Sequence, residues 1–255
     1  MSLFAPLDRL IVATPDPQRV GWLRKWEYAH RGLHSDGVPE NSLAAFTLAA
    51  ERGLGIECDI QRSRDGCAML VHDWELDRLT GVHGPLEDYS AEELAQIAFL
   101  ESEHKLARLD DLLPVVGGKV PILIEIKSRR GYDVKRSCRA VATALENYDG
   151  SYAVMSFDPR VCAWFAEHSP ATIRGLVMRE DDLGMTQKPW QRHVALWAAR
   201  PEFVAYHVAA LPNPMVSALR ERGMPVLTWT VNSPETRAAG LTHADALIAE
   251  GEGLA

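Results

Sequence analysis

One rhythm constrains this chain of 255 residues more than any other feature. Short apolar runs of strand type alternate with helical patterns almost from end to end. Strands are expected at Glu27–Arg31, Gly55–Ile60, Cys67–His72, Val120–Ile126, Tyr152–Phe157, Thr172–Met178, Phe203–His207 and Pro225–Val231, with a weaker ninth run at Ala244–Ala249. Several are β-branched or aromatic, and most are bounded by Gly, Pro or Asp. Between them the pattern predicts helices at Asn41–Arg52, Ser90–Leu100, Asp133–Asn147, Pro159–His168, Lys188–Ala199, Pro214–Arg222 and Pro234–Ala239. Gly53 supplies a helix stop after Arg52, and Ser90 with Glu93 spells a capping box. Strand–helix alternation implies a parallel sheet flanked by helices. Eight or nine strands over roughly 250 residues favour a TIM (β/α)8 barrel over an open doubly wound sheet. The Gly-rich phosphate loop that usually announces an open sheet is missing. No linker, low-complexity stretch or repeat splits the chain, so one domain over residues 1–255 is expected.

One connection breaks the rhythm. Between Glu57-Cys-Asp59 and Val71-His-Asp73 there is no room for a helix, and Asp65-Gly66 between extended residues is a hairpin signal. With these two as the turn, Arg64 pairs with Cys67, and counting outward sets Asp59 opposite His72. An irregular hairpin-like strand pair is therefore expected early in the barrel, which reconciles nine strand-like runs with eight staves.

The net charge is -8. An acidic surface repels nucleic acid and anionic lipid, so neither is expected as a bulk partner. An anionic small molecule would need a local positive site made of a metal or a few Arg and Lys. No stretch approaches the ~18 apolar residues of a membrane span, and Asp8 interrupts the start before a secretory signal could develop. The four cysteines form no C-x-x-C pair, so a zinc knuckle is not expected. A cytoplasmic setting with free thiols and no stable membrane insertion follows.

Glu57 and Asp59 alternate on one strand, so both carboxylates face one way and Cys58 the other. An edge strand in water would explain the pattern, but the apolar neighbours Leu54, Ile56 and Ile60 argue for burial. Buried carboxylates are usually paired or hold a metal. Glu125 and Lys127 repeat the pattern at the end of an apolar strand, as a salt bridge or as a third oxygen ligand beside a cation. Carboxylates alone suit Mg²⁺ or Ca²⁺ better than zinc. His30 and His72 each end an apolar strand. Singly each reads as structural; together they offer an acid and a base for a phosphodiester. Arg31 offers a fork for phosphate oxygens. Gly32 and the Ser-Asp-Gly-Val-Pro that follows set His30 and His34 on a loop, where H-x-x-x-H spacing does not hold a metal. Trp229 could wall a substrate pocket or pack in the core, and His207 and Phe157 are equally open. Arg129, Arg130, Glu180, Asp181 and Asp182 read as solvated loop faces.

Taken in order, His30-Arg-Gly32, Pro39-Glu-Asn41, Glu57-x-Asp59, Arg64-Asp-Gly66, Val71-His-Asp73, Leu76-Asp-Arg78, Glu125-x-Lys127 and Trp229-Thr-Val-Asn232 resemble the motifs of the glycerophosphodiester phosphodiesterase family. The resemblance runs the length of the chain. It implies a TIM barrel that hydrolyses glycerophosphodiesters to glycerol 3-phosphate and an alcohol with a divalent cation, Mg²⁺ or Ca²⁺, within lipid and glycerol metabolism. It implies Glu57, Asp59 and Glu125 as metal ligands, His30 and His72 as acid and base, and Arg31 and Lys127 on the phosphate. Glu40 and Asn41 fall at the site edge, Glu40 as a ligand or a support. The implied mechanism has two steps: the substrate's own glycerol hydroxyl attacks phosphorus and the alcohol leaves, then water opens a cyclic phosphate. Three departures stand out. Ser42 replaces the family's usual Thr. The tail Ala-Leu-Ile-Ala-Glu-Gly lacks the usual Thr-Asp. The stretch near 80–109 is a short cap-like insertion where many members carry a larger one. A lysophospholipase D or phosphoinositide-type phosphodiesterase would use the same barrel, with Trp22 and Trp26 as a small apolar patch. A non-catalytic barrel binding a phosphorylated ligand is the rival outside enzymes. An amidohydrolase barrel would want a His-x-His at the first strand, which the chain lacks.

Overall fold

A computed structural model describes residues 4 to 254. In chain order the elements are α1 (Ala5–Ile11), α2 (Pro17–Val20), β1 (Tyr28–Ala29), α3 (Leu43–Glu51), β2 (Gly55–Arg62), β3 (Ala68–Leu70), α4 (Asp77–Thr80), α5 (Ala91–Leu94), α6 (Leu109–Val116), β4 (Ile122–Ile126), α7 (Val134–Ala144), β5 (Tyr152–Ser156), α8 (Pro159–His168), β6 (Ile173–Met178), α9 (Pro189–Ala199), β7 (Phe203–His207), α10 (Pro214–Glu221), β8 (Val226–Val231), α11 (Pro234–His243) and β9 (Ala246–Ala249). All nine expected strands form. Among the described residues no helix is long and apolar enough to cross a membrane. The chain divides into two compact units.

The first unit holds residues up to Tyr28 and from Ala153 onward. Its strands β5, β6, β7, β8 and β9 pair in sequence order, each parallel to the next. Each parallel step needs a crossover, and α8, α9, α10 and α11 supply them. Asp158, Asn213 and Ser233 cap three of these helices, accepting from Arg160 N at 2.9 Å, Met215 N at 2.9 Å and Thr236 N at 3.2 Å. Such caps satisfy amides that a helix start leaves unbonded. The core packs Leu176, Val204, Tyr206 and Val226 of the strands against Leu196, Val216 and Leu219 of the helices. The tail forms β9 beside β8 despite its missing Thr-Asp, with a register shift between Thr228 and Val231. Trp22 and Trp26 are each half-buried.

The second unit spans Ala29–Tyr152. Here β2 runs parallel to β4 on one side and antiparallel to β3 on the other. The hairpin departs from the expected register by one residue. Ile60 faces Leu70 and Arg62 faces Ala68. The loop is Arg64-Asp65-Gly66, closed by Ser63 N donating to Cys67 O at 3.0 Å. A three-residue hairpin loop needs one left-handed position, and Gly66 takes it at φ 98°. Asp59 therefore meets Val71, whose N–H reaches Asp59 O at 3.1 Å, rather than His72.

The helix expected over Ser90–Leu100 shortens to α5. Its capping box forms, with Glu93 Oε2 accepting from Ser90 N at 2.7 Å. Beyond Leu94 the chain turns and pairs back on itself, Leu106 N donating to Ile97 O at 3.0 Å. The cause is a small apolar cluster in which Leu94, Phe99 and Leu106 pack with Met69 and Val71. A continuous helix could not bring Phe99 back to that cluster. The short α1, α2, α4 and α6 lack a long enough period to stand out in the sequence.

Candidate active site

All eight residues of β2 are buried. Alternation sends Glu57 and Asp59 to one face, and the parallel register sets Asp59 beside Glu125 of β4. One oxygen from each of Glu57, Asp59 and Glu125 lies within 4.8 Å of the others. Three buried carboxylates this close repel one another, so the fold must neutralise them. Lys127 does part of this, with Nζ 2.7 Å from Glu125 Oε1 and 2.9 Å from Asp59 Oδ1. Arg31 Nε lies 3.1 Å from Asp59 Oδ2. Burial alone would raise Asp59, but the charges of Lys127, His72 and Arg31 outweigh it and hold this carboxyl well below the usual range. Glu57 goes the other way. Burial, then the Asp59 charge, push it up to about 8. Burial works against the Lys127 ammonium, yet Asp59 and Glu125 hold it above its ordinary value. On the opposite face of β2, burial keeps the Cys58 thiol protonated.

The turn after β1 carries the next groups. Gly32 has φ 80°, and a Cβ there would lie 2.9 Å from backbone and side-chain atoms of Ala45. Only glycine fits. Arg31 and Asn41 also sit at positive φ, 55° and 54°, a conformation that costs free energy and collects at functional sites. What they gain is contact with the carboxylates. The Arg31 amide donates to Glu57 Oε2 at 3.0 Å. Asn41 grips Asp59 twice, Nδ2 donating to Oδ2 at 3.0 Å and Oδ1 accepting from the Asp59 amide at 3.1 Å. His30, one residue before Arg31, lies within electrostatic reach of both Glu57 and Asp59. His34 stands on the turn beyond, outside the three-carboxylate cluster.

Glu40 is not among the clustered carboxylates. It accepts from Arg31 at 2.8 Å and from Arg78 Nη2 at 2.8 Å. Arg78 also binds Asp73, and Asp73 Oδ1 meets His72 Nδ1 at 2.7 Å. One chain of charges thus runs from Arg31 through Glu40, Arg78 and Asp73 to His72. Burial lowers the His72 pKa most; the Asp59 charge opposes it, the Lys127 and Arg31 charges lower it further, and the Asp73 hydrogen bond adds a lesser upward effect. The ring is accordingly neutral at pH 7. Gln61, buried on the same face as Glu57 and Asp59, donates to the His72 carbonyl at 2.8 Å. Asp73 falls in the Val71-His-Asp73 motif with no role assigned to it by the sequence, and Gln61 falls in no motif. The period of two that found Glu57 and Asp59 extends to Gln61 and could have found it.

In the first unit, Trp229 near the end of β8 meets Phe157 edge-on at 5.3 Å and His207 at 5.0 Å, with Arg179 5.6 Å over its ring. Its indole N–H donates to Ala205 O at 3.2 Å. These residues follow or close β5, β6, β7 and β8, so they share the C-terminal ends of those strands. Glu180 is not a solvated loop charge. It accepts from Tyr206 Oη at 2.5 Å and Asn213 Nδ2 at 2.7 Å and pairs with Arg192 at 2.9 Å. Arg129 also departs from that reading, because it stacks on Trp74 at 4.4 Å.

Residues 30–249 match the model of the glycerophosphoryl diester phosphodiesterase family. Among curated relatives, the chain is 29% identical to the glycerophosphodiester phosphodiesterase of Caldanaerobacter subterraneus subsp. tengcongensis, over 81% of this chain and 86% of that one. It is 30% identical to glycerophosphodiester phosphodiesterase 1 of Rattus norvegicus, over 80% and 71%. Among solved structures, an Oleispira antarctica phosphodiesterase in complex with the product sn-glycerol-3-phosphate aligns with TM-score 0.75 at 22% identity, covering 88% of this chain and 92% of that one. The glycerophosphodiester phosphodiesterase of Thermotoga maritima aligns with TM-score 0.72 at 24% identity, covering 87% and 92%. The fold is the expected TIM (β/α)8 barrel, with the β2–β3 hairpin as its irregular early pair. The matched span contains the clustered carboxylates and the two histidines, and the chain belongs to the glycerophosphoryl diester phosphodiesterase family, a family of phosphoric diester hydrolases.

Proposed function

We propose that this chain hydrolyses glycerophosphodiesters to glycerol 3-phosphate and an alcohol at the Glu57–Asp59–Glu125 cluster. The observation that carries the reading is the approach of three buried carboxylates to within 4.8 Å. Such crowding is costly without a cation, and an all-oxygen donor set suits Mg²⁺ or Ca²⁺. Glu57, Asp59 and Glu125 would hold that cation, which when bound stabilises charge on phosphoryl oxygens and makes a nearby hydroxyl more acidic. Arg31 and Lys127 balance the carboxylates and supply donors to the non-bridging oxygens. His72, neutral at pH 7, takes the proton from the attacking glycerol hydroxyl. His30 delivers a proton to the departing alcohol oxygen. The two exchange roles when water opens the cyclic phosphate. Asn41 and Glu40 support these groups through Asp59 and Arg31. Trp229, near the C-terminal end of its strand, is the aromatic residue assigned to contact the substrate. A reducing cytoplasmic setting accords with four free cysteines.

The test is release of glycerol 3-phosphate from a panel of glycerophosphodiesters by the purified protein and by His30→Ala and His72→Ala variants. Release by the wild type is expected, with losses of roughly 10²- to 10⁴-fold in each variant. No release from any diester would refute the activity. Full activity in either variant would refute its acid–base role.

A further inference from the structure

We propose that Arg129, stacked on Trp74, selects the leaving alcohol by charge, disfavouring cationic alcohols and favouring neutral or anionic ones. This rests on the diester hydrolysis above and names its substrate class. Trp74 follows His72 and Asp73 directly on the segment leaving β3. Arg129 stands two residues beyond Lys127, on the segment leaving β4. Both neighbours of the acidic cluster therefore lead straight into this pair. The indole is held by its neighbours. Buried Tyr132 meets it edge-on at 5.1 Å, and the Trp74 carbonyl accepts from Leu86 N at 3.1 Å. The Arg129 guanidinium lies over the ring, 4.4 Å from its centroid, and bonds Glu87 at 2.7 Å.

An indole face held in place is what binds a quaternary ammonium. Here the chain's own guanidinium occupies that face. A trimethylammonium group is denied the ring and meets a fixed positive charge, to which exposed Arg130 adds. The Arg129–Glu87 pair is partly exposed, 39% and 37%, and such pairs hold weakly in water. A phosphate or carboxylate on the alcohol can therefore replace Glu87 on the guanidinium.

The experiment compares kcat/KM for three diesters of sn-glycerol 3-phosphate, with choline, glycerol and inositol 4-phosphate as the alcohols. The proteins are wild type, Arg129→Ala, Arg129→Gln and Arg129→Ala with Trp74→Ala. The wild type is expected to favour the glycerol and inositol phosphate diesters over the choline diester. Arg129→Ala should raise the choline-to-glycerol ratio about tenfold by uncovering the indole, and adding Trp74→Ala should remove most of that gain. Both Arg129 variants should lower the inositol-phosphate-to-glycerol ratio about fivefold. Ratios do not depend on the folded fraction, so partial misfolding does not hide the effect. Wild-type preference for the choline diester, or ratios unchanged in both Arg129 variants, would overturn charge selection and leave the hydrolysis standing. No turnover of any of the three by the wild type would overturn the hydrolysis reading, and this inference with it.

Discussion

The Lys127 ammonium sits 2.9 Å from Asp59 Oδ1, with the two side chains only 14% and 2% exposed. The same ammonium reaches Glu125 at 2.7 Å, so one cation serves two of the three clustered carboxylates. Removing one member of a buried pair leaves the other charge uncompensated. Lys127→Met is therefore expected to cost about 3 to 5 kcal/mol of stability and most of the activity. Lys127→Arg should not restore activity, since a planar fork does not replace a point charge between two carboxylates. Thermal unfolding and kcat/KM check both, and an unchanged Tm in Lys127→Met would contradict the assignment.

Glu57 gives a pH dependence. Its carboxyl rises from an ordinary 4.5 to about 8 on folding, chiefly through burial and then through Asp59. A raised acid favours the folded state fully below the unfolded value, and that contribution is lost as pH climbs through the folded one. A divalent cation must displace the Glu57 proton, so it binds more tightly as pH rises. At one fixed concentration of Mg²⁺ or Ca²⁺, the metal-induced rise in Tm should be larger at about pH 8.5 than at about pH 6. An increment that is flat or shrinks with pH would exclude Glu57 as a ligand.

Asp73 holds His72 through Nδ1 at 2.7 Å and nudges its pKa upward, against the larger downward effect of burial. Asp73→Asn should move the acidic limb of the kcat/KM profile to lower pH and cut neutral-pH activity by about 10- to 100-fold. A limb that stays in place would leave His72 with no role as the titrating base.

Gly32 is the hinge on which Arg31 and His30 depend. Alanine there would adopt a left-handed conformation and bring its Cβ 2.9 Å from Ala45. Gly32→Ala is expected to destabilise by roughly 2 to 5 kcal/mol and to lower activity further than the loss of folded protein explains. Equal activity per folded molecule, measured by titrated active sites against circular dichroism, would separate the turn from the chemistry.

The parts of this site that obey a period were legible in the sequence. Glu57 and Asp59 alternate on a strand, Glu125 and Lys127 repeat the pattern, and the structure packs all four together. The hairpin register differs by one from the sequence expectation because a Gly at left-handed φ makes a three-residue loop as readily as a two-residue one, and Arg64-Asp65-Gly66 does not say which. Asp73 and Glu40 lie on loops and Arg78 on the single turn of α4, where no period brings residues together. Helix α5 is shorter than its sequence pattern predicts because its cap is local, whereas the pull on Phe99 comes from β3, distant in sequence. Trp74 and Arg129 lie 55 positions apart on two loops, and only the folded chain stacks one on the other.

The metal centre itself is best tried by chelation. Wild-type protein treated with EDTA and dialysed should stop releasing glycerol 3-phosphate, and added Mg²⁺ or Ca²⁺ should restore it. Undiminished release after complete metal removal would contradict a cation at Glu57, Asp59 and Glu125.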